Sequence, residues 1–177
     1  MEDLASVERR AKRIKLLLMD CDGVLTDGRL TLLEGGDEQK TFHVRDGHGI
    51  VLFHRAGMKT GIISGRKSSA LERRARELDV SFLRQDSQDK IKDFKEVLGE
   101  AKLNPIEVAF IGDDVTDIPL MQRAGLAVAV ADAAEETRNV AHYVTAARGG
   151  RGAVREVTEL ILKAQGRWSE LMPRYLG

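Results

Sequence analysis

Apolar residues fall along this chain in short runs and helical stripes that alternate. Residues 14–19 read as a strand that ends in the unbroken apolar run Leu16-Leu17-Leu18-Met19. A run without alternation reads as a strand buried on both faces, the signature of a parallel sheet. Similar runs recur at 58–63, 80–83, 107–111, 126–130 and 142–145. Helical spacing lies between them. Residues 88–101 place Ile91, Phe94, Val97 and Leu98 on one face, and 47–56, 67–78, 133–140 and 152–164 read as helices too. Residues 3–13 predict a short polar helix with Asp3 as its cap. Two polar-flanked strands, 29–33 and 39–43, bracket Glu34-Gly35-Gly36-Asp37-Glu38 and predict a hairpin. Strand–helix alternation with right-handed crossovers gives an α/β fold, a Rossmann-like parallel sheet flanked by helices. One domain over 1–177 is expected, with a hairpin excursion at about 29–43 and a tail at about 166–177 of no clear period.

Composition narrows the partners. Lys+Arg and Asp+Glu both total 28, so the net charge is zero, and nothing favours nucleic acid or a membrane surface. No apolar run approaches the ~20 residues of a membrane span. A single cysteine, Cys21, excludes an internal disulfide and fits a reducing cytoplasm.

The chemistry sits where the strands end. The first strand stops at Asp20-Cys21-Asp22-Gly23, the second at Ser64-Gly65-Arg66, and the strand at 107–111 at Gly112-Asp113-Asp114. In a parallel sheet all three converge on the carboxyl edge, where α/β folds bind ligands. Lys90 opens the helix between the second and third of these. Carboxylates so close repel unless a cation or a proton lies between them. Mg²⁺ takes one or two carboxylates and fills its octahedron with water and phosphate oxygens, so Asp20 and Asp113 suit it. A phosphate ester held there would lie beside Asp20, which can attack phosphorus and form an aspartyl-phosphate. Asp22, two residues on, can protonate the leaving oxygen and then take a proton from water. Ser64 and Lys90 would bind phosphoryl oxygens.

On these residues the chain resembles the haloacid dehalogenase superfamily of phosphatases. Asp20-Cys21-Asp22-Gly23-Val24-Leu25-Thr26 is similar to its first motif, Ile63-Ser64-Gly65-Arg66 to its second, Lys90 to its third, and Gly112-Asp113-Asp114-Val115-Thr116-Asp117 to its fourth. The resemblance implies Asp20 as nucleophile and metal ligand. It implies Asp22 as acid/base, with its main-chain carbonyl on the metal, and Asp113 as the remaining protein ligand. Asp114 would support Lys90 or a metal-bound water from behind. Asp117 is open between a loop-stabilising and a metal-side role.

A finer resemblance is to the small-capped branch that hydrolyses 3-deoxy-D-manno-octulosonate 8-phosphate (KDO 8-phosphate) for lipopolysaccharide biosynthesis. It rests on Thr26-Asp27-Gly28, on Phe42-His43-Val44-Arg45-Asp46-Gly47-His48-Gly49-Ile50, on Ser64 to Ser68, and on Gly149-Gly150-Arg151-Gly152-Ala153-Val154-Arg155-Glu156. It implies an acidic sugar phosphate as substrate and a homotetramer whose neighbouring subunit covers each site. Thr26, Gly65, Arg66 and Arg74 become candidate substrate-binding residues, the arginines for the carboxylate, with Arg151 a further candidate. Asp79, where the branch has glycine, is expected to accept a left-handed backbone. A related branch acts on a nine-carbon sugar (KDN) 9-phosphate and has Thr-Gly-Glu where this chain has Ser64-Gly65-Arg66, so the arginine favours the eight-carbon ester. Of the readings from another class, a phospho-aspartate receiver would place its acidic pair first and a lone acceptor third, unlike this order. A non-catalytic oligomeric module would not need the full set of acids.

Overall fold

The computed structural model describes residues 3–34 and 38–176. Six strands make one parallel sheet: β1 (Leu16–Met19), β4 (Lys59–Ile63), β5 (Phe82–Arg84), β6 (Val108–Gly112), β7 (Leu126–Ala129) and β8 (Tyr143–Val144), in the order β5-β4-β1-β6-β7-β8. β1 is central and wholly buried, which is why its sequence carries no polar alternation. Leu16 pairs with Lys59 on one side and Val108 on the other, and Met19 with Ile62 and Ile111. This shared register brings the residues after β1, β4 and β6 out at one edge. The chain runs outward from β1 through β4 to β5, then crosses back to β6 and continues the other way. The reversal opens a crevice between β1 and β6 at the carboxyl edge.

Helices cover both faces. α1 (Leu4–Ala11), α2 (Val44–Arg55) and α7 (Ala153–Ala164) pack together, and α4 (Lys90–Ala101), α5 (Ile118–Met121) and α6 (Glu135–Val140) form the other layer. α3 (Ser69–Glu77) follows β4. Asp3 caps α1 as expected, its Oδ1 accepting from Ser6 N–H at 2.7 Å.

α2 begins at Val44, three residues before the expected start, because Asp46 is anchored from outside. Its buried carboxylate accepts from Gly152 N–H at 3.1 Å and Arg155 N–H at 2.8 Å, at the start of α7. Gly49 lets the two helices touch there, since a Cβ would lie 2.6 Å from Thr158 Oγ1. Two of the four segments that carried the finer resemblance are therefore one joint. Asp79 takes the left-handed conformation (φ 53°).

Two regions differ from expectation. The hairpin is shorter: β2 (Thr31–Leu32) and β3 (Glu38–Gln39) pair antiparallel, and residues 40–43 run on without a ladder. Most of its turn, residues 35–37, lies outside the described residues. The tail is helical, as α8 (Arg167–Leu171) and α9 (Pro173–Leu176). Trp168 stacks beneath Arg155 and Lys163, 5.3 and 5.1 Å from its ring centre, and Tyr175 hydrogen-bonds Arg55. Helices of five and four residues are too short to show an apolar period.

Candidate active site

The first loop is wound tightly behind the nucleophile position. Asp20 N–H extends the β1–β6 ladder to Ile111 C=O at 3.0 Å, after which Cys21 C=O accepts from Val24, Leu25 and Thr26 N–H at 3.3, 2.9 and 3.1 Å. Gly23 has φ +92°, and a Cβ there would lie 2.0 Å from Asp113 Oδ2. Glycine is required on both counts, and its bare backbone seats the Asp113 carboxylate against the first loop. Gly150 N–H donates to Val24 C=O at 2.8 Å, so the 149–150 segment backs the same loop.

Lys90 is the hub. Its Nζ donates to Asp20 Oδ1 and to Asp117 Oδ1, each at 2.8 Å, and Asp117 Oδ2 accepts from Asp113 N–H at 3.1 Å. Oxygens of Asp20, Asp113 and Asp117 all lie within 4.8 Å of one another. Burial pushes the Asp20 carboxyl up to about 6; Asp117 adds to the rise and Lys90 opposes it. Burial, then the charges of Asp117, Asp20 and Asp114, push Asp113 up to about 8. Lys90 loses from burial but gains more from Asp20 and Asp117, and is held above its usual range. One ammonium does not neutralise three carboxylates. The surplus negative charge, the all-oxygen donor set and the cradle at Gly23 fit a hard divalent cation such as Mg²⁺.

The cavity over these residues has a volume of about 500 Å³. Asp20, Asp22, Ser64, Lys90 and Asp113 line it, with Gly65 and Arg66 on one side and Asp114 on the other. Ser64 is buried; its Oγ accepts from Arg66 N–H at 3.3 Å, and its N–H donates to Arg84 C=O at 2.9 Å.

Asp114, Thr26 and Arg74 sit differently from expectation, and Asp117 combines the two readings left open for it. Lys90 is held by Asp117, not Asp114, whose carboxylate turns away to accept from Val115 N–H at 2.8 Å and caps the 3-10 turn Val115–Asp117. Asp117, left open above, steadies the loop through Asp113 N–H and also joins the carboxylate group. Thr26 is buried outside the cavity lining, its Oγ1 3.4 Å from Asp22 Oδ1. Arg74 lies outside that lining too, beside Phe42 and in an ion pair with Glu77 at 3.0 Å. It borders a separate cleft on the outer side of the hairpin.

One functional side chain escaped sequence reasoning. Lys40 returns from the hairpin to pair with Asp22, and its Nζ lies 3.5 Å from Glu38 Oε2, while Glu38 also pairs with Arg66. A row of alternating charges, Asp22, Lys40, Glu38, Arg66, thus runs from the first loop to the end of β4. A lone lysine between Gln39 and Thr41 carries no motif. Only the hairpin's return register would have pointed to it.

Comparisons with known proteins agree with this geometry. Residues 79–156 match the haloacid dehalogenase-like hydrolase family. The chain is 46% identical over 159 residues to the 3-deoxy-D-manno-octulosonate 8-phosphate phosphatase of Yersinia pestis, covering 90% of this chain and 85% of that one. It is 43% identical to the Escherichia coli K12 enzyme of the same name, covering 94% and 88%. A crystal structure of the 3-deoxy-D-manno-octulosonate 8-phosphate phosphatase from Moraxella catarrhalis with magnesium ion, phosphate ion and KDO superposes with a TM-score of 0.95 at 38% identity, covering 98% of this chain and 99% of that one. A probable YrbI family phosphatase from Pseudomonas syringae gives the same TM-score at 46% identity, covering 98% of each. With acids, lysine and serine set on the carboxyl edge as described, the chain belongs to the haloacid dehalogenase-like hydrolases, among the 3-deoxy-D-manno-octulosonate 8-phosphate phosphatases.

Proposed function

We propose that this chain hydrolyses KDO 8-phosphate to KDO and inorganic phosphate with Mg²⁺, in lipopolysaccharide biosynthesis, through an aspartyl-phosphate on Asp20. The observation that carries the reading is the convergence of Asp20, Asp22, Ser64, Lys90 and Asp113 on one cavity. Asp20 and Asp113 would hold the ion, with the Asp22 main-chain carbonyl, and Asp117 stands beside them; bound Mg²⁺ supplies positive charge against the phosphoryl oxygens. The Asp20 carboxylate attacks phosphorus, the ester P–O bond breaks, and the departing sugar oxygen takes a proton from Asp22. Water then attacks the acyl-phosphate. Asp22 takes its proton, and the phosphorus–Asp20 bond breaks. Ser64 and Lys90 hold the phosphoryl oxygens, and Lys90 also keeps Asp20 oriented through its bond at 2.8 Å. Phosphoryl transfer of this kind is mostly positioning and charge neutralisation.

Arg66, at the cavity rim, suits the sugar carboxylate, for which it would exchange its Glu38 partner. Leu30, Leu32 and Leu33 project from the hairpin at 51, 74 and 48% exposure. Apolar residues so placed support a homotetramer in which hairpins meet and a neighbour covers each site. A lone buried cysteine supports a reducing, cytoplasmic setting. Among the described residues no helix is long and apolar enough to cross a membrane.

A phosphate-release assay over acidic sugar phosphates tests the reading. KDO 8-phosphate is expected to be turned over best, with EDTA abolishing and Mg²⁺ restoring the rate. Faster turnover of the nine-carbon KDN 9-phosphate would overturn the substrate assignment. A stable phospho-protein without turnover would overturn the phosphatase and favour a receiver.

A further inference from the structure

The structure assigns a role to Lys40 that rests on the functional reading above: it is a positioning residue for the acid/base Asp22. Lys40 is the last residue of the hairpin's return before the approach to α2, and its side chain is only 2% exposed. A buried ammonium is costly unless it is paired. Here its close partner is Asp22, with Glu38 at 3.5 Å. Both Lys40 Nζ and Thr26 Oγ1 address the same oxygen, Asp22 Oδ1. The other oxygen, Asp22 Oδ2, is sheltered and makes no hydrogen bond. One oxygen is thereby clamped, which fixes the direction of the carboxyl group, and the other is left without a hydrogen-bond partner. A carboxyl group that must give a proton to a departing oxygen and then accept one from water needs a fixed direction and one uncommitted oxygen. Lys40 and Thr26 provide the first and leave the second.

The arrangement also explains why a two-residue ladder suffices for the hairpin. Its base is tied to the catalytic loop by the Asp22–Lys40 pair and to the end of β4 by the Glu38–Arg66 pair.

The test compares leaving groups. Phenyl and p-nitrophenyl phosphate have nearly the same shape, but phenolate is the more basic leaving group and needs the proton more. The parameter kcat/KM stops at leaving-group departure, so dephosphorylation of the enzyme does not enter it. With Mg²⁺ present, Lys40→Met is expected to lower kcat/KM for phenyl phosphate and KDO 8-phosphate by about tenfold or more, a fraction of what a general acid supplies. The p-nitrophenyl ester should change by less than about threefold. Lys40→Arg, which keeps the charge, should recover most of the loss. Equal losses for the two aryl esters would mean a merely structural role, and loss for KDO 8-phosphate alone would mean direct substrate contact. Either result, or no loss at all, overturns the inference. If the wild-type protein releases phosphate from none of these esters, it is the phosphatase reading that fails, independently of Lys40.

Discussion

The carboxyl edge of the sheet and the hairpin beside it are built on opposite terms. At the edge, β1 is buried on both faces and locked in register with β4 and β6, so Asp20, Ser64 and Asp113 emerge from fixed points. Lys90 then cross-links Asp20 to Asp117. The hairpin has two paired positions, Thr31 with Gln39 and Leu32 with Glu38, and its leucines face outward. A two-stranded ribbon of that size has little stability of its own. The groups that act on phosphorus therefore sit on the rigid element. Lys40 and Glu38, which pair with Asp22 and Arg66 at the cavity, sit on the light one. The groups that act on phosphorus tolerate no misplacement, whereas side chains that steady them from outside can sit on a lighter element. Rigid chemistry beside a lighter supporting element follows from that difference.

The comparison breaks most sharply at the nucleophile. Asp20→Asn should lower kcat by on the order of 10⁴-fold or more, as removal of a covalent nucleophile does. The fold should persist, because an amide oxygen can still accept from Lys90 and Lys90 retains Asp117. Circular dichroism and a phosphate-release assay together check this; turnover near the wild-type rate would remove the aspartyl-phosphate.

Metal removal probes the rigid side next. In the metal-free protein Asp113 is raised from 3.8 to about 8 and Asp20 from 3.8 to about 6. Both folded values lie above the unfolded ones, so the folded state binds more protons. The contribution is fully present below the unfolded value and is lost as pH rises through the folded values. Metal-free stability should therefore decline from about pH 4 to about pH 8. Mg²⁺ binds the ionised carboxylates, so its stabilisation should be greater at about pH 9 than at about pH 6 at one metal concentration. At 100 times Kd it amounts to about 2.7 kcal/mol. Thermal unfolding with EDTA and with Mg²⁺ at both pH values checks the sign. A metal effect larger on the acid side would contradict the cluster.

What could be read from the chain follows the same division. Leu16 to Met19 ending in Asp20, and Val108 to Gly112 ending in Asp113, were legible because a buried parallel strand is a plain apolar run and its last residue marks an edge. Ser64 followed from the same logic, whereas Lys90, at a helix start beside Lys92, was marked out by the family resemblance. The short helices after residue 166 were not legible, because five and four residues are too few to show a helical period, although Trp168 and Leu171 do pack on the core. Asp114 and Asp117 are three residues apart on one turn, and only its winding decides which faces Lys90. Thr26, Arg74 and Lys40 depend on how loops return, a long-range property that local pattern does not encode. The joint at Asp46 lay within segments that carried the finer resemblance, but its partner is more than a hundred residues away.

That joint supplies a test of the scaffold alone. Asp46→Ala removes the acceptor of Gly152 N–H and Arg155 N–H at a buried helix start, and should cost about 2–3 kcal/mol in urea unfolding. Burial pushes the Asp46 carboxyl up, so its charge is itself costly there. Asp46→Asn, which keeps one acceptor oxygen without the charge, should cost less, about 1 kcal/mol. With Mg²⁺ bound, the residual kcat of either folded variant should stay within a few-fold of wild type. A loss confined to activity, with unfolding unchanged, would show that the joint belongs to the site and not to the frame.

The smallest effect on folding belongs to the hairpin, and it sharpens the contrast from the other side. Leu30→Ser with Leu32→Ser removes apolar surface already exposed in the single chain. The unfolding free energy of the isolated subunit should therefore shift by no more than about 0.5 kcal/mol. If hairpins meet in a homotetramer, the same pair of changes strips the contact of its apolar centre, and light scattering should show dissociation at concentrations where the unmodified protein stays assembled. Dissociation would then lower turnover of KDO 8-phosphate more than that of p-nitrophenyl phosphate, because the cover a neighbour provides matters most to the sugar. A tetramer that survives both substitutions would place the subunit contact elsewhere. The exposed leucines would then be a feature of the lone hairpin, and Asp22 and Arg66 would have to meet the sugar without cover from a partner.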